Sequence, residues 1–323
     1  MRKIFTVLLF FVLLVSLLAC SNENSNSSKT DFRKEEQNKN IIKVTDMMGR
    51  EVEIKKGVKK IVALQPADCE IIFSIGSGEN VVGRGEYCDW PEGVKKVESL
   101  QSGEDTNIEQ IIKLQPDIVF MGTMTQKPEQ IEQLEKFGIS VVVSEATNVD
   151  GVYKSINIIG KCLGKDKEAN DLVKEMKNGF DELAKKVSKE EEKTIYYETS
   201  PLEFGIWTAG KNTFMNDIAN VLGLKNIFED VDGWAEVSQE QVIERNPDYI
   251  VSIAMNSDEG IKPTDEIMTR DGWKDIVAVK NKNVFLLDAD ELSRPGPRLV
   301  DGAKALYNAI YGEEVSIEDT SFR

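Results

Sequence analysis

Short apolar runs alternate with amphipathic stretches through most of the chain. This pattern is typical of parallel strands joined by helices. In the first half it predicts strands at residues 59–64, 81–83, 117–122 and 140–144 and helices at 68–75, 108–114 and 128–137. In the second half it predicts strands at 193–198 and 283–288 and helices at 213–222 and 297–310. We therefore expect an α/β fold with two parallel-sheet lobes.

Residues 150–188 separate the two series of strands and read as one helical segment. Their apolar positions recur every three or four residues on a single face, at Leu172, Met176, Phe180, Leu183 and Val187. We expect an N-terminal lobe over 41–149, a long interlobe helix within 150–188 and a C-terminal lobe over 189–323.

One helix–strand unit occurs twice, as "NIEQIIKLQPDIVF" from residue 107 and as "SQEQVIERNPDYIVSI" from residue 238. Asn107 and Ser238 are good helix N-caps, and each is followed three residues later by a glutamine that can reach back to the cap. A proline ends each helix, and an apolar run typical of a buried strand follows. Each copy therefore predicts one helix and one strand.

The repeat also places an acidic residue, Glu109 or Glu240, in the first turn of each predicted helix. The helix dipole favours an acid there by ~0.3–1 kcal/mol. That effect explains an acid at each position without explaining why both lobes share it.

The N-terminus resembles an export signal. "MRK" is followed by an uncharged apolar run, and the run ends in "LLAC", the form of a bacterial lipobox. We expect residues 1–19 to be a signal peptide, Cys20 to be acylated and the polar residues 20–40 to be a flexible tether. A plain signal peptide with a chance cysteine is the alternative.

Composition excludes several functions. The net charge of −16 over 323 residues disfavours nucleic-acid partners and anionic lipid surfaces. The chain has no histidine, which disfavours a zinc site, a His-ligated haem and a histidine general base. Apart from Cys20, only Cys69, Cys88 and Cys162 are present. At most one disulfide can form among them, Cys69 and Cys88 are the only pair close in sequence, and buried free thiols are the alternative.

Several motifs together resemble the solute-binding lipoproteins of ABC importers for metal chelates, the class that takes up ferric siderophores and cobalamin. The motifs are the lipobox, "YCDWP", the two repeat units, "GWAEVSQEQVIERNPDYIV" and "SRPGPRLVDGAKALY", which span Cys20 to about residue 311. The resemblance implies a monomer with a ligand cleft between two lobes joined by a rigid helix. It also implies lipid anchoring outside the cell and docking on an ABC permease dimer through Glu109 and Glu240.

Ligands of parallel sheets gather at the carboxyl ends of the strands, so the loops there supply the candidate binding residues. Aromatic walls would supply contact area, and cations would suit an anionic chelate. We expect Trp207 and Trp273 to pack onto their own lobe instead. Arg298 has the alternative of capping the last helix or pairing with Asp301. The candidates are Gln65, Arg84, Tyr87, Trp90 and Met121 in the first lobe and Trp234, Arg294 and Arg298 in the second.

The arginines favour an iron(III) siderophore as the ligand, and a neutral corrinoid held between Trp90 and Trp234 is the alternative. We expect no catalytic residue, no protein-bound metal and no cofactor, since the ligand itself carries the metal. Enzyme motifs such as a phosphate-binding loop, "GxSxG" and "HExxH" are absent from the sequence. An extracellular chelatase that uses Glu86 and Asp89 is the enzymatic alternative, and a surface adhesin or sensor is the third class.

Overall fold

The computed structural model describes residues 40–123, 126–187, 192–254 and 260–312. The expected signal peptide, Cys20 and the tether up to residue 39 lie outside the described residues. In the described part of the chain, no helix has the length and apolar content needed to cross a bilayer.

The N-terminal lobe is built on a parallel sheet. Two strands come first, β1 (Ile41–Thr45) and β2 (Glu51–Lys55), and the sheet follows with β3 (Ile61–Ala63), β4 (Val81–Gly85), β5 (Ser99–Leu100), β6 (Ile118–Met121) and β7 (Ser140–Val143). The sheet order is β5-β4-β3-β6-β7, and all neighbours are parallel. The central strands β3 and β6 are fully buried, which is why their sequences are continuous apolar runs.

Three helices and two short 3-10 helices cover this sheet. They are α1 (Pro66–Ser74), α2 (Ile108–Leu114) and α3 (Pro128–Lys136), with 3-10 turns at Gly78–Asn80 and Glu92–Lys96. Sequence periodicity placed each of the three helices to within two residues, because a proline or an N-cap marks where each one begins.

The segment that links the lobes contains two helices, α4 (Val149–Leu163) and α5 (Asp166–Lys186), rather than one. Gly164 adopts a left-handed conformation with φ of 66° and ends α4. Helix α4 packs on α5 and on α1 of the N-terminal lobe. The 21-residue α5 is the long helix expected from the sequence. It buries the predicted face except at Val187, which is its half-buried C-cap.

The C-terminal lobe has a second parallel sheet and a separate antiparallel ribbon. Its strands are β8 (Lys193–Glu198), β9 (Ile206–Ala209), β10 (Leu224–Asn226), β11 (Trp234–Val237), β12 (Tyr249–Ser252) and β13 (Val284–Leu286). The sheet order is β10-β8-β12-β13, and β9 pairs with β11 outside this sheet.

The helices of this lobe are short except for the last one. They are α6 (Phe214–Val221), α7 (Gln239–Arg245), α8 (Pro263–Thr269), α9 (Val277–Asn281), α10 (Ala289–Ser293) and α11 (Leu299–Tyr311), with 3-10 turns at Leu202–Phe204 and Trp273–Asp275. Helix α5 packs against both α6 and α11. The pair α4–α5 therefore packs on the N-terminal lobe through α4 and on the C-terminal lobe through α5, and Val149, the first residue of α4, also donates to Asp217 of α6 at 3.0 Å.

The two copies of the repeat fold alike at their helix starts. Asn107 Oδ1 accepts a hydrogen bond from the Gln110 N–H at 3.0 Å, and Ser238 Oγ accepts one from the Gln241 N–H at 3.3 Å. The Gln241 side chain also accepts from the Ser238 N–H at 2.8 Å, which completes a capping box. The predicted box is therefore complete at Ser238, whereas the side chain of Gln110 turns to Glu98 instead.

The aspartate after each repeat proline ties its strand to a neighbouring strand. Asp117 accepts hydrogen bonds from the backbone N–H groups of Lys59 and Lys60, just before β3, at 2.9 and 3.0 Å. Asp248 accepts from the N–H and the hydroxyl of Thr194, at the start of β8, at 2.9 Å each. These bonds satisfy backbone donors at the amino ends of both sheets, so the repeat has a structural purpose in each lobe.

Close packing of α5 against α11 requires a glycine. A Cβ atom at Gly179 would lie 2.5 Å from Cγ1 of Val300. We expect Gly179→Ala to lower the free energy of unfolding by about 1–3 kcal/mol, although alanine is the better helix former. Chemical denaturation monitored by circular dichroism measures this change. Asn178→Ala, on the exposed side of the same turn, is the control and should leave stability equal or raised. A stabilising Gly179→Ala would mean that the two helices do not pack as described.

Candidate functional site

The carboxyl ends of three adjacent parallel strands bring the N-terminal candidates to one edge. Gln65 follows β3, Tyr87 and Trp90 follow β4, and Gly122 follows β6. The Gln65 amide lies directly on the backbone of Gly122, because a Cβ atom there would fall 1.4 Å from Gln65 Nε2. A larger residue at position 122 would therefore displace the Gln65 amide.

Two arginines cross from the C-terminal lobe to acids of the N-terminal lobe. Arg294 Nη1 lies 2.5 Å from Asp89 Oδ1, and Arg298 Nη2 donates to Glu70 Oε1 at 2.7 Å. Arg294 also pairs with Asp290 of its own lobe at 2.9 Å. Both arginines were expected to face a ligand or a helix end, but the structure shows that lobe-to-lobe ion pairs already hold them.

The chain between these arginines approaches α1 closely. A Cβ atom at Gly296 would lie 3.0 Å from Glu70 Oε2 and 3.7 Å from the Cα of Ala67, so a larger residue would crowd the buried Glu70 carboxylate. The sequence "RPGPR" thus combines two cations with a small residue at the point of contact. We call Glu70, Asp89, Arg294 and Arg298 the interlobe ion pairs.

The electrostatic state of these acids follows from their burial. Glu70 is 2% exposed, and burial raises its pKa, while Arg298 and Arg294 oppose the shift. Partial burial acts in the same direction on Asp89, but the hydrogen bond and charge of Arg294 lower its pKa overall. Asp68, also on α1, has no arginine partner in the described structure. Burial raises the pKa of Asp68 to about 7 against a hydrogen bond donated by Ser144.

The aromatic candidates of the N-terminal lobe remain accessible. Tyr87 is 69% exposed and Trp90 is 39% exposed. The Arg298 guanidinium lies over the Trp90 ring, 5.0 Å from its centroid, so this indole also contacts the C-terminal lobe. Both rings therefore present apolar surface beside the interlobe ion pairs.

In the C-terminal lobe, the β9–β11 ribbon presents two tryptophans on one face. Trp207 pairs with Glu236, and Ala209 pairs with Trp234. Alternate residues of a strand point the same way, so both indoles lie on the same side of the ribbon. Trp207, which we expected to pack onto its own lobe, is 40% exposed. The strand alternation of "IWTA" was the signal that would have identified it.

Trp234 lies next to the junction of the two lobes. Its ring packs edge-on against Phe214 with centroids 5.5 Å apart. The Phe214 N–H donates to the carbonyl of Thr147, which follows β7 of the N-terminal lobe, at 2.9 Å. The ribbon is thereby held near the carboxyl edge of the N-terminal sheet.

Met121, Arg84 and Trp273 differ in how far their side chains are buried. Met121 is completely buried in the core of the N-terminal lobe, so it has no surface to offer a ligand, contrary to expectation. Arg84 is half-buried and donates to the carbonyl groups of Gly85 and Glu86 at 3.1 and 3.3 Å. Trp273 is fully buried, as expected of a packing residue.

The repeat glutamates Glu109 and Glu240 are both exposed in the first turns of α2 and α7. Hydrogen bonds from the backbone and from the Ser238 hydroxyl lower the pKa of Glu240. An open groove of about 490 Å³ lies beside it, lined by Leu202, Gly205, Ile206, Glu236, Val237, Ser238, Gln239, Glu240 and Gln241. Among the described residues, no group of three or more acids and cysteines is arranged to hold a metal ion.

Comparison with known proteins supports the two-lobed architecture. The model of the family described as periplasmic binding protein matches residues 61–291. An uncharacterised ABC transporter substrate-binding lipoprotein of Bacillus subtilis, YvrC, is 37% identical over 306 residues, which cover 93% of this chain and 95% of the relative.

Two further similarities concern proteins with named ligands. A vitamin B12-binding protein of Vibrio campbellii is 28% identical over 249 residues, covering 75% of this chain and 86% of the relative. A solved structure from Staphylococcus epidermidis, described as a possible iron-binding (periplasmic solute-binding) protein, is 33% identical with a TM-score of 0.68. It covers 79% of this chain and 100% of its own.

The buried ion pair Glu70–Arg298 provides a test of the site. We expect Glu70→Gln and Arg298→Met each to lower the free energy of unfolding by roughly 3–5 kcal/mol, because each removes the nearest partner of a buried charge. In Arg298→Met, Glu70 keeps only Arg294, 3.8 Å away. The double variant should lose less than the sum of the two. Denaturant titration of all four proteins measures the coupling. The exposed pair Glu92–Lys95, 2.8 Å apart, is the matched control and should show no measurable coupling. Strictly additive effects at Glu70 and Arg298 would contradict the interlobe contact.

Proposed function

The chain belongs to the periplasmic binding protein family, and from this premise we propose that it captures an iron(III) siderophore complex outside the cell and delivers it to an ABC permease. It is the substrate-binding component of an ABC transporter, with relatives named for iron and vitamin B12 binding. Such components bind without transforming their ligand, which disfavours an extracellular chelatase.

One observation carries the proposal: accessible aromatic side chains from both lobes flank the junction between them. Tyr87 and Trp90 come from the N-terminal lobe, and Trp207 and Trp234 come from the ribbon of the C-terminal lobe. A large metal chelate needs apolar walls for contact area and a few polar groups for orientation. Gln65, half-buried at the end of β3, is such a polar group.

Arg84 supports an anionic iron complex as the ligand. Its guanidinium donates only to backbone carbonyls of its own loop and makes no ion pair within the described residues. A positive charge without a carboxylate partner attracts the carboxylates or the net negative charge of a ferric siderophore. Similarity to the possible iron-binding protein of Staphylococcus epidermidis supports the same ligand class.

A neutral corrinoid is the second candidate, and the interlobe ion pairs favour it. Asp89 and Glu70 neutralise Arg294 and Arg298, so the cleft offers less positive charge than the sequence suggested. The aromatic walls would hold a corrinoid without any charged group. Similarity to the vitamin B12-binding protein of Vibrio campbellii supports this alternative.

We further propose that acylated Cys20 anchors the mature protein, as a monomer, to the outer face of the cell membrane. The lipobox and the lipoprotein relative support the anchor. The tether would let the lobes reach a permease dimer, with one repeat glutamate presented by each lobe. Glu109 and Glu240 are exposed at matching positions of matching helices, which supports this docking role.

Titration of the purified protein with ferric siderophores, cobalamin and haemin, followed by tryptophan fluorescence, tests the ligand. We expect saturable quenching by one ferric siderophore and a 10- to 100-fold weaker affinity in Trp90→Ala and Trp234→Ala. This weakening corresponds to ~1–3 kcal/mol for a buried aromatic contact. Stoichiometric binding without release of iron from the complex would agree with a receptor.

Phe137→Ala is the control for these variants, because Phe137 is 66% exposed just before β7, at the amino end of the sheet. It should bind the ligand normally. If cobalamin is the only compound that quenches the fluorescence, the ligand is a corrinoid and not a ferric siderophore. Normal affinity in both tryptophan variants would remove these side chains from the binding site.

Loss of both repeat glutamates tests docking. We expect Glu109→Ala with Glu240→Ala to keep ligand affinity but to lose most ligand uptake and most stimulation of the transporter's ATPase, because electrostatic contacts with the permease are removed. Uptake by cells and ATPase activity of the reconstituted transporter measure the effect at matched protein levels.

Glu129→Ala with Asp265→Ala is the matched control, since both acids are exposed in the first turn of a helix, one in each lobe, outside the repeat. This control removes the same charge and the same favourable helix-dipole interaction as the double variant of the repeat glutamates. If this control impairs uptake as much as the repeat variant does, the effect is one of net charge and the docking proposal fails.

A further inference from the structure

Two cysteines meet behind the loop that carries Tyr87 and Trp90. The thiols of Cys69 and Cys88 both donate to the carbonyl oxygen of Ala63, each with a sulfur–oxygen distance of 3.8 Å. Cys69 lies on α1 and Cys88 lies three residues after Gly85, the last residue of β4. Ala63 ends β3, the strand adjacent to β4, so sheet pairing itself brings the two sulfurs together.

Both thiols are completely buried, and neither takes part in the proposed function. The neighbouring Cys88, together with burial, raises the pKa of Cys69. Because both sulfurs lie 3.8 Å from the same carbonyl oxygen, they are near neighbours, and a disulfide requires them to approach to about 2.05 Å.

We propose that Cys69 and Cys88 form a disulfide when the chain folds outside the membrane, with Cys162 remaining a free thiol. The proposal rests on the proposed extracellular location, where disulfides form and persist. The two thiols give up two protons and two electrons to a disulfide oxidant, and one sulfur–sulfur bond forms. With oxidised glutathione as oxidant, two molecules of reduced glutathione are released.

The disulfide would lie directly beside the acids of the interlobe ion pairs. Glu70 and Asp89 are the next residues after Cys69 and Cys88, and they are the acids that hold Arg298 and Arg294. A disulfide would fix the spacing of these acids and attach the Tyr87–Trp90 loop to α1. The bond would therefore hold one wall of the cleft in place.

Burial also determines when the bond forms. A fully buried thiol with a raised pKa reacts slowly because little thiolate is present and no oxidant reaches it. We therefore expect oxidation during folding and little oxidation of the folded, reduced protein.

Thiol counting tests the proposal without any ligand. The full chain carrying Cys20→Ser is unfolded, reduced and refolded with reduced and oxidised glutathione. It is then denatured and labelled with a maleimide, and its peptides are analysed by mass spectrometry. We expect one labelled thiol, Cys162, and a peptide pair linked through Cys69 and Cys88. Three labelled thiols, or any link to Cys162, would overturn the proposal.

Single substitutions supply the controls. Cys69→Ser in the same background should leave two labelled thiols, and Cys162→Ser should leave none. The oxidised protein should melt roughly 5 °C or more above the reduced protein, since the bond restricts the unfolded chain. Equal melting temperatures would contradict a bond that fits the folded state. Because no ligand is used, these results stand apart from whether the protein binds a ferric siderophore.

Discussion

The relation between the two lobes depends on buried opposite charges that meet across their boundary. Glu70 lies almost without solvent contact on the first helix of the N-terminal lobe, and Arg298 reaches it from the C-terminal lobe. Neither charge would be tolerated alone at that depth, because taking an ion out of water costs several kcal/mol. The pair therefore fixes the position of each lobe at this contact. The neighbouring loop that carries Tyr87 and Trp90 is also held at this contact. Asp89 pairs with Arg294, and the Trp90 ring lies under Arg298.

The helical connection works together with these ion pairs. Helices α4 and α5 pack against each other, α4 packs on the N-terminal lobe and α5 packs on the C-terminal lobe, so they form a packed link between the lobes. Small residues permit this packing where side chains would collide, at Gly160 against Ala169 and at Gly179 against Val300. A link of packed helices with one buried ion pair on the cleft side allows little free rotation.

The repeated unit serves folding and surface presentation at once. Its caps, its proline and its aspartate make the same helix–strand turn in both lobes, and the aspartate bonds to the adjacent strand. The glutamate in the first turn takes no part in the aspartate bonds to the adjacent strand. It interacts favourably with the helix dipole. Its exposure in both lobes is thus a by-product of a structural unit, and it is available for contact with another protein.

The sequence by itself determined the α/β class, the two series of strands and most helix bounds, because apolar periodicity, caps and prolines act over a few residues. It also determined the repeat and the exclusion of histidine chemistry. Only the tertiary structure decided that Arg294 and Arg298 face acids, that Met121 belongs to the core, that Trp207 is exposed and that the thiols of Cys69 and Cys88 meet at the Ala63 carbonyl. Residues distant along the chain make these contacts, and a local pattern contains no information about which side chain will lie opposite another after the sheets and lobes have packed.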